Sequence, residues 1–205
     1  MGATLASIVA AAAPLVYAAV GEAITERAGI VNLSLDGSIL LSAMSGFVVA
    51  FTTGNVVAGF AAAAAVSGLI ALIVAWSGIS LRLNQVAVGF VLTLLAASLS
   101  SYLGEGFVHQ PGPSVRPRPI PGLVEIPLLG RALFGQNLSV YGSLVLVAVA
   151  AWFLARSRVG LELRAVGERP EAAHARGIQV DRYRYLAALV GGGLVGVAGA
   201  AFSLD

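Results

Sequence analysis

Six long apolar runs recur along the chain, at Ala3 to Val20, Leu33 to Phe51, Val56 to Ala75, Val86 to Tyr102, Leu138 to Ala155 and Leu186 to Phe202, with short polar joints between them. A membrane-crossing helix needs roughly 20 mostly apolar residues. Inside a bilayer no water meets the peptide groups, and a helix is the single-segment solution that satisfies them all internally. The expected fold is therefore all-α: one polytopic transmembrane helix bundle of about six spans, occupying residues 1–205 as a single domain. At 58% hydrophobic and 11% charged residues, with a mean hydropathy of +0.91, the composition lies far from the soluble norm of roughly a quarter charged. The first run contains Pro14 and has no Lys or Arg before it. It therefore lacks the basic region of a signal peptide and reads as a retained span.

Several chemistries are excluded by residue type. There is no cysteine, and the histidines His109 and His174 lie far apart, so neither a disulfide framework nor a metal ligand set is expected, and no cofactor. Both histidines fall in joints outside the runs, which leaves an intramembrane enzyme without a base at membrane depth. The chain has no lysine, and a phosphate-binding loop of the G-x-x-x-x-G-K-[ST] kind requires one. The chain is thus expected not to be an enzyme of these kinds, and it cannot hydrolyse ATP by that route. The net charge of +2 and pI near 9.4 would suggest nucleic acid for a soluble protein. Here the arginine distribution points to membrane orientation instead, and no nucleic-acid partner is expected.

Seven of the twelve arginines, Arg156, Arg158, Arg164, Arg169, Arg176, Arg182 and Arg184, crowd one joint. Basic residues in short loops are retained on the cytoplasmic side. The joint at 156–184 is therefore inside, as is the Arg82 joint, while Thr52 to Asn55, the loop at 103–137 and the N-terminus lie outside. The external loop carries six of the eight prolines; X-Pro density disfavours helix, so it is either a structured cap or a solvated connector. Its apolar tail, Ile126 to Phe134, suits a short interfacial helix. Gly192, Gly196 and Gly199, and likewise Ala61, Ala65 and Gly68, recur at helical spacing. Such faces allow close helix approach in lipid.

The segment "GEAITERAGIVNLSLDGSILL", Gly21 to Leu41, mixes charged and polar residues with apolar ones. It reads either as a plain cytoplasmic loop or as a broken helix whose irregular backbone lines a solute path. In the second case Asn32, Ser34 and Asp36 would offer hydrogen-bonding groups to a polar solute. Asn84 and Gln85, which open the fourth run, are either a second edge of that path or interfacial helix-start residues.

The inner joint carries its own punctuation. Pro170 suits a first helical turn, Glu168 and Glu171 suit a positive N-terminus, and Gly177 suits a C-terminal stop. A short amphipathic helix is expected from Arg169 to Arg176.

"EAAHARG", Glu171 to Gly177, resembles the E-A-A-x-x-x-G core of the cytoplasmic loop of ABC importer permeases. The resemblance implies that this loop, 156–184, forms a coupling helix docking into a cleft of a separate ATPase. "GEAITERAGIVNLSLDGSILLSA", "NQVAVGFVLTLLAASLSSYL", "IPLLGRALFGQN" and "RAVGERPEAAHARGIQVDRYRYLAALVGGGLVGVAGA" are similar, in the same order, to permeases for nucleosides and simple sugars, related to the ribose and branched-chain amino acid permeases. By that resemblance Glu171, Ala172, Ala173 and Gly177 are docking and shape residues, and Arg164, Arg169 and Arg176 make polar contacts with the ATPase. The implied partners are a cytoplasmic ATPase, a second permease chain, identical or different, an extracytoplasmic solute-binding protein and the lipid bilayer. The implied location is the bacterial inner membrane, multi-pass. Nucleosides rank first as the solute, simple sugars second and branched-chain amino acids third. The permeases resembled usually continue through further helices after this loop, so a longer chain is expected for a complete pathway. The rival reading is an ion-coupled secondary transporter or channel for a small polar solute, which needs a carboxylate in mid-span; Glu22, Glu26 and Asp36 are the acids near that depth.

Overall fold

The computed structural model describes residues 2–115 and 134–205, which are helical with no strand among them. Six long helices and three shorter segments follow one another among the described residues. Helix α1 spans Gly2–Arg27, α2 Leu35–Thr53, α3 Val56–Ile79 and α4 Gln85–Gly104, followed by a single 3-10 turn at Glu105–Phe107. Then come α5 at Leu138–Arg156, α6 at Arg158–Glu168, α7 at Pro170–Ala175 and the long α8 at Val180–Leu204. Six of these, α1 to α5 and α8, are long and apolar enough to cross a membrane. With Phe90, Leu94, Val145 and Trp152 turned outward, the chain is a multi-pass membrane protein.

The polar ends of the spans extend further than their hydropathy. Helix α1 continues through Glu22 and Glu26 to Arg27, and α8 begins at Val180, before the apolar run from Leu186. A hydrogen-bonded ladder continues as long as its residues tolerate helix, and charged residues do so where they reach water. Four starts are capped by asparagine or serine side chains: Asn55 accepts from the Val57 N–H at 2.9 Å, Asn84 from Val86 at 2.9 Å, Asn137 from Val140 at 3.2 Å, and Ser157 from Gly160 at 2.9 Å. Such caps satisfy N–H groups that the helix itself leaves without partners.

Helix α8 is the most buried span and α4 the least. Its glycines point in three directions. A methyl group built on Gly191 would meet Gly21 and Thr25 of α1, one on Gly192 or Gly196 would meet α3, and one on Gly199 would meet Ile39 and Ser42 of α2. The α3–α8 pair forms the most extensive contact, and small residues let the backbones approach that closely. On α3 the buried face runs through Gly59, Ala63, Ser67 and Ala71, whereas Ala61 and Ala65 are exposed. The small-residue face expected from the sequence is therefore displaced, although Gly68 belongs to it.

The two ends of the bundle differ. One gathers the 28–34 turn, the link before α4, and α6 and α7: Arg184 Nε donates to the Ala28 carbonyl at 3.3 Å, and the Ser80 and Tyr185 hydroxyls lie 2.7 Å apart. The other gathers the 105–115 segment and the start of α5, where the Val115 N–H donates to the Leu204 carbonyl at 2.7 Å and Tyr17 donates to the Ser139 carbonyl at 2.8 Å. Arg27, Arg82 and the seven arginines between Arg156 and Arg184 all belong to the first end, which positive-inside retention assigns to the cytoplasm. Of the external loop, Ile126–Phe134 lies almost wholly outside the described residues.

Candidate functional site

The joint at 156–184 holds two helices, α6 and α7, at the arginine-rich end of the bundle. Ser157 starts α6, its hydroxyl donating to the Phe153 carbonyl at 2.6 Å as it accepts from Gly160. Gly160, Leu163 and Val166 are the buried face of α6, and Leu163 packs with Ile24, Ala28, Leu154 and Ala187. Pro170 disfavours helical geometry at the residue before it; Arg169 accordingly sits at φ −144° and ψ 79°, and the chain turns there into α7.

Helix α7 is short and sharply bounded. Pro170 occupies its first turn, and Gly177 ends it in the left-handed region at φ +85°. The Gly177 N–H donates to the His174 carbonyl at 2.9 Å and the Ile178 N–H to the Ala173 carbonyl at 3.1 Å, the paired bonds of a Schellman stop. Ala173 alone on α7 is buried, so Glu171, Ala172, His174 and Ala175 stand clear of the protein. A groove between α6 and α7 is lined by Ala165, Arg169, Ala172, Arg176 and Ile178. A second, between α7 and the start of α8, is lined by Glu171, His174, Gln179, Asp181 and Arg182. Both carry mixed charge around small apolar floors, a surface suited to another protein's side chains.

The fold thus brings Arg169, Glu171, Ala172, Ala173, Arg176 and Gly177 onto one projecting element. Arg164 is half-buried on α6 and lines neither groove. Two residues to which the sequence alone assigns no role at this site belong to the same assembly. Tyr183 donates its hydroxyl to the Glu162 carboxylate, tying α6 to the base of α8, and Arg184 reaches the end of α1. The helix α6 itself had a signal: Val159, Leu163 and Val166 recur at helical spacing among charged residues behind a serine cap.

The segment from Gly21 to Leu41 resolves into the end of α1, a turn at 28–34, and the start of α2. The turn joins two helices at the arginine-rich end of the bundle and is shorter and more buried than a plain loop. Gly29, at φ +79°, closes α1 with the same pair of bonds, Gly29 N–H to the Glu26 carbonyl at 2.9 Å and Ile30 N–H to the Thr25 carbonyl at 3.1 Å. Ala28 just before it, and Ile30, Asn32 and Ser34 beyond it, are buried. Asn32 Oδ1 accepts from the Ser34 hydroxyl at 2.6 Å and from its N–H at 3.1 Å, a local turn that leads into α2. Asp36 is exposed in the first turn of α2.

Helix α4 braces this turn. Gln85 Oε1 accepts from the Val31 N–H at 3.0 Å, and the Thr93 hydroxyl donates to the Leu33 carbonyl at 2.8 Å. Gln85 is thus joined to the segment holding Asn32 and Ser34, while the Asn84 carbonyl oxygen is engaged by its own helix.

The sequence profile of the family described as branched-chain amino acid transport system / permease component matches residues 4–205. A Haloferax volcanii protein provisionally named a glucose ABC transporter permease is 44% identical over 98% of this chain and 62% of its own length. The nucleoside ABC transporter permease protein of Lactococcus lactis is 34% identical over 93% of the chain and 63% of its own length. The guanosine ABC transporter permease protein of Bacillus subtilis is 32% identical over 94% and 64%. The chain therefore spans less than two thirds of the length of these relatives. No solved structure matches it.

Proposed function

Given that the chain belongs to the family of branched-chain amino acid transport system / permease components, we propose that it is the membrane-spanning permease part of an ATP-driven importer. The observation that supports this reading is α7: a six-residue helix with a proline start and a glycine stop, buried through Ala173 alone and leaving Glu171, Ala172, Arg169 and Arg176 exposed. A solvated connector needs no such rigid projection. A separate ATPase docks on it, and a second permease chain and an extracytoplasmic solute-binding protein complete the importer. ATP drives the change of state through a difference in how it interacts with the two conformations.

The relatives named for glucose, nucleosides and guanosine share one chemical element, a sugar ring bearing adjacent hydroxyls. The proposed solute is a nucleoside or simple sugar of that kind. Asn32, Ser34, Asp36 and Gln85 are the polar groups near its path, with Asn84 at the edge.

The test is reconstitution. The permease, co-expressed with its ATPase and placed in liposomes with the binding protein, should take up labelled nucleoside or hexose only when ATP is present on the ATPase side. Uptake without any ATPase, following a proton or sodium gradient, would overturn the proposal in favour of a secondary transporter.

A further inference from the structure

Helix α7 has almost no grip of its own on the bundle, so its displacement must reach the spans through what holds α6. That hold has three parts. Leu163 packs among Ile24, Ala28, Leu154 and Ala187. Gly167 lies against the end of α1, where an added methyl group would fall 3.0 Å from the Arg27 carbonyl carbon and 3.2 Å from the Gly29 nitrogen. Glu162 accepts the Tyr183 hydroxyl. The next residue of α8, Arg184, donates to the Ala28 carbonyl at 3.3 Å. Two consecutive side chains of α8 thus grip different elements, one α6 and the other the turn after α1.

We infer that α6, α7 and the 28–34 turn move as one block, with Tyr183 and Arg184 as the positioning residues that clamp it. The inference rests on the docking of an ATPase at α7. The turn is in turn bonded to α4, through Val31 to Gln85 and Leu33 to Thr93. Docking force therefore reaches the polar turn holding Asn32 and Ser34 through the base of α8 and through the contact of Gly167 with the end of α1. Coupling of this kind is a property of a two-state element that both sites bias, and needs a direct measurement of each end.

The chain contains no cysteine, so single thiols report on chosen positions. Leu33 on the turn and His174 on α7 are both exposed. Leu33→Cys and His174→Cys are labelled with a maleimide, in the complete importer in lipid, with and without a non-hydrolysable ATP analogue. Docking is expected to protect His174→Cys. The analogue is expected to change the Leu33→Cys labelling rate by about threefold or more, and Tyr183→Phe with Arg184→Met to remove at least about half of that change, the scale of residue-level coupling. Tyr183→Phe alone, which removes one hydroxyl and no packing, is measured beside the pair and decides if the pair does not assemble. A Leu33→Cys rate indifferent to nucleotide, or equally responsive in the variants, overturns the clamp. An unprotected His174→Cys overturns the docking reading instead.

Discussion

Gly21 of α1 and Gly191 of α8 face each other with no side chain between them: a methyl group on either would come within 2.5 Å of the other's carbonyl oxygen. Both neighbours are helix backbone and cannot turn aside. Gly191→Ala must therefore push the helices apart, at a cost of about 1–3 kcal/mol for overpacking. Gly193→Ala, two positions on, meets nothing within 4 Å and should leave stability unchanged or raise it. Thermal unfolding in detergent compares the two; equal midpoints would mean that the α1–α8 contact is looser than described.

Gly177→Ala places a side chain in the left-handed region, where an L-residue costs roughly 1–2 kcal/mol. The site is otherwise open space, so the cost is confined to the stop of α7. Hydrogen exchange should quicken at Gly177 and Ile178 while the global unfolding midpoint stays put. Gly177→Asn should recover part of the protection. Unchanged exchange in Gly177→Ala would show that α7 does not depend on its glycine.

Glu171 is exposed and lines the groove beside α8. Glu171→Arg should alter stability by no more than about 0.5 kcal/mol, as expected for a surface position, yet reduce ATP-driven uptake and co-purification of the ATPase. Arg169→Gln, on the other groove, should weaken both more than Arg164→Gln, because Arg164 lies off both grooves. Equal losses from the two arginine variants would place the docking face elsewhere.

Asn84 acts through its side-chain oxygen on the Val86 and Ala87 N–H groups. Asn84→Ala should cost about 1 kcal/mol of stability, the typical loss of such a cap, and Asn84→Asp should retain it. Uptake measured beside unfolding separates capping from solute contact: if Asn84→Asp keeps stability and loses uptake, the residue touches the solute.

Gln85→Leu leaves the Val31 N–H without its acceptor, at a cost of about 1–3 kcal/mol if water does not replace it. The effect should appear as faster exchange at Val31, with α4 beyond Gly89 unaffected. Intact protection at Val31 would mean that the turn is held by Thr93 and Arg184 alone.

The spans were legible in the sequence because hydropathy over a bilayer's width leaves little choice of element, and α3 begins at Val56 as the apolar run does. Where the ends are polar the same signal stops early, as at Glu22 to Arg27, since hydropathy measures the solvent of a helix and not its continuation. The α3 face was misplaced because "AGFAAAAAVSG" offers small residues, alanine, glycine or serine, on every side of the helix, and only a neighbour decides which of them are buried. The short α7 was legible through Pro170 and Gly177, two residues with narrow backbone roles. The buried turn at 28–34 was not, since its burial depends on Gln85, Thr93 and Arg184, residues 54 to 156 positions away.

Helices locked by large side chains must change rotamers before they can slide, and each such change meets a barrier. Along α8 the contacts at Gly191, Gly192, Gly196 and Gly199 fall on main chain and on the short side chains of Thr25, Ala71 and Ser42, which have few rotamers or none to change. At these four positions α8 itself presents no side chain to catch on a neighbour. A small shear of the surrounding helices past them meets no rotamer barrier from the central helix.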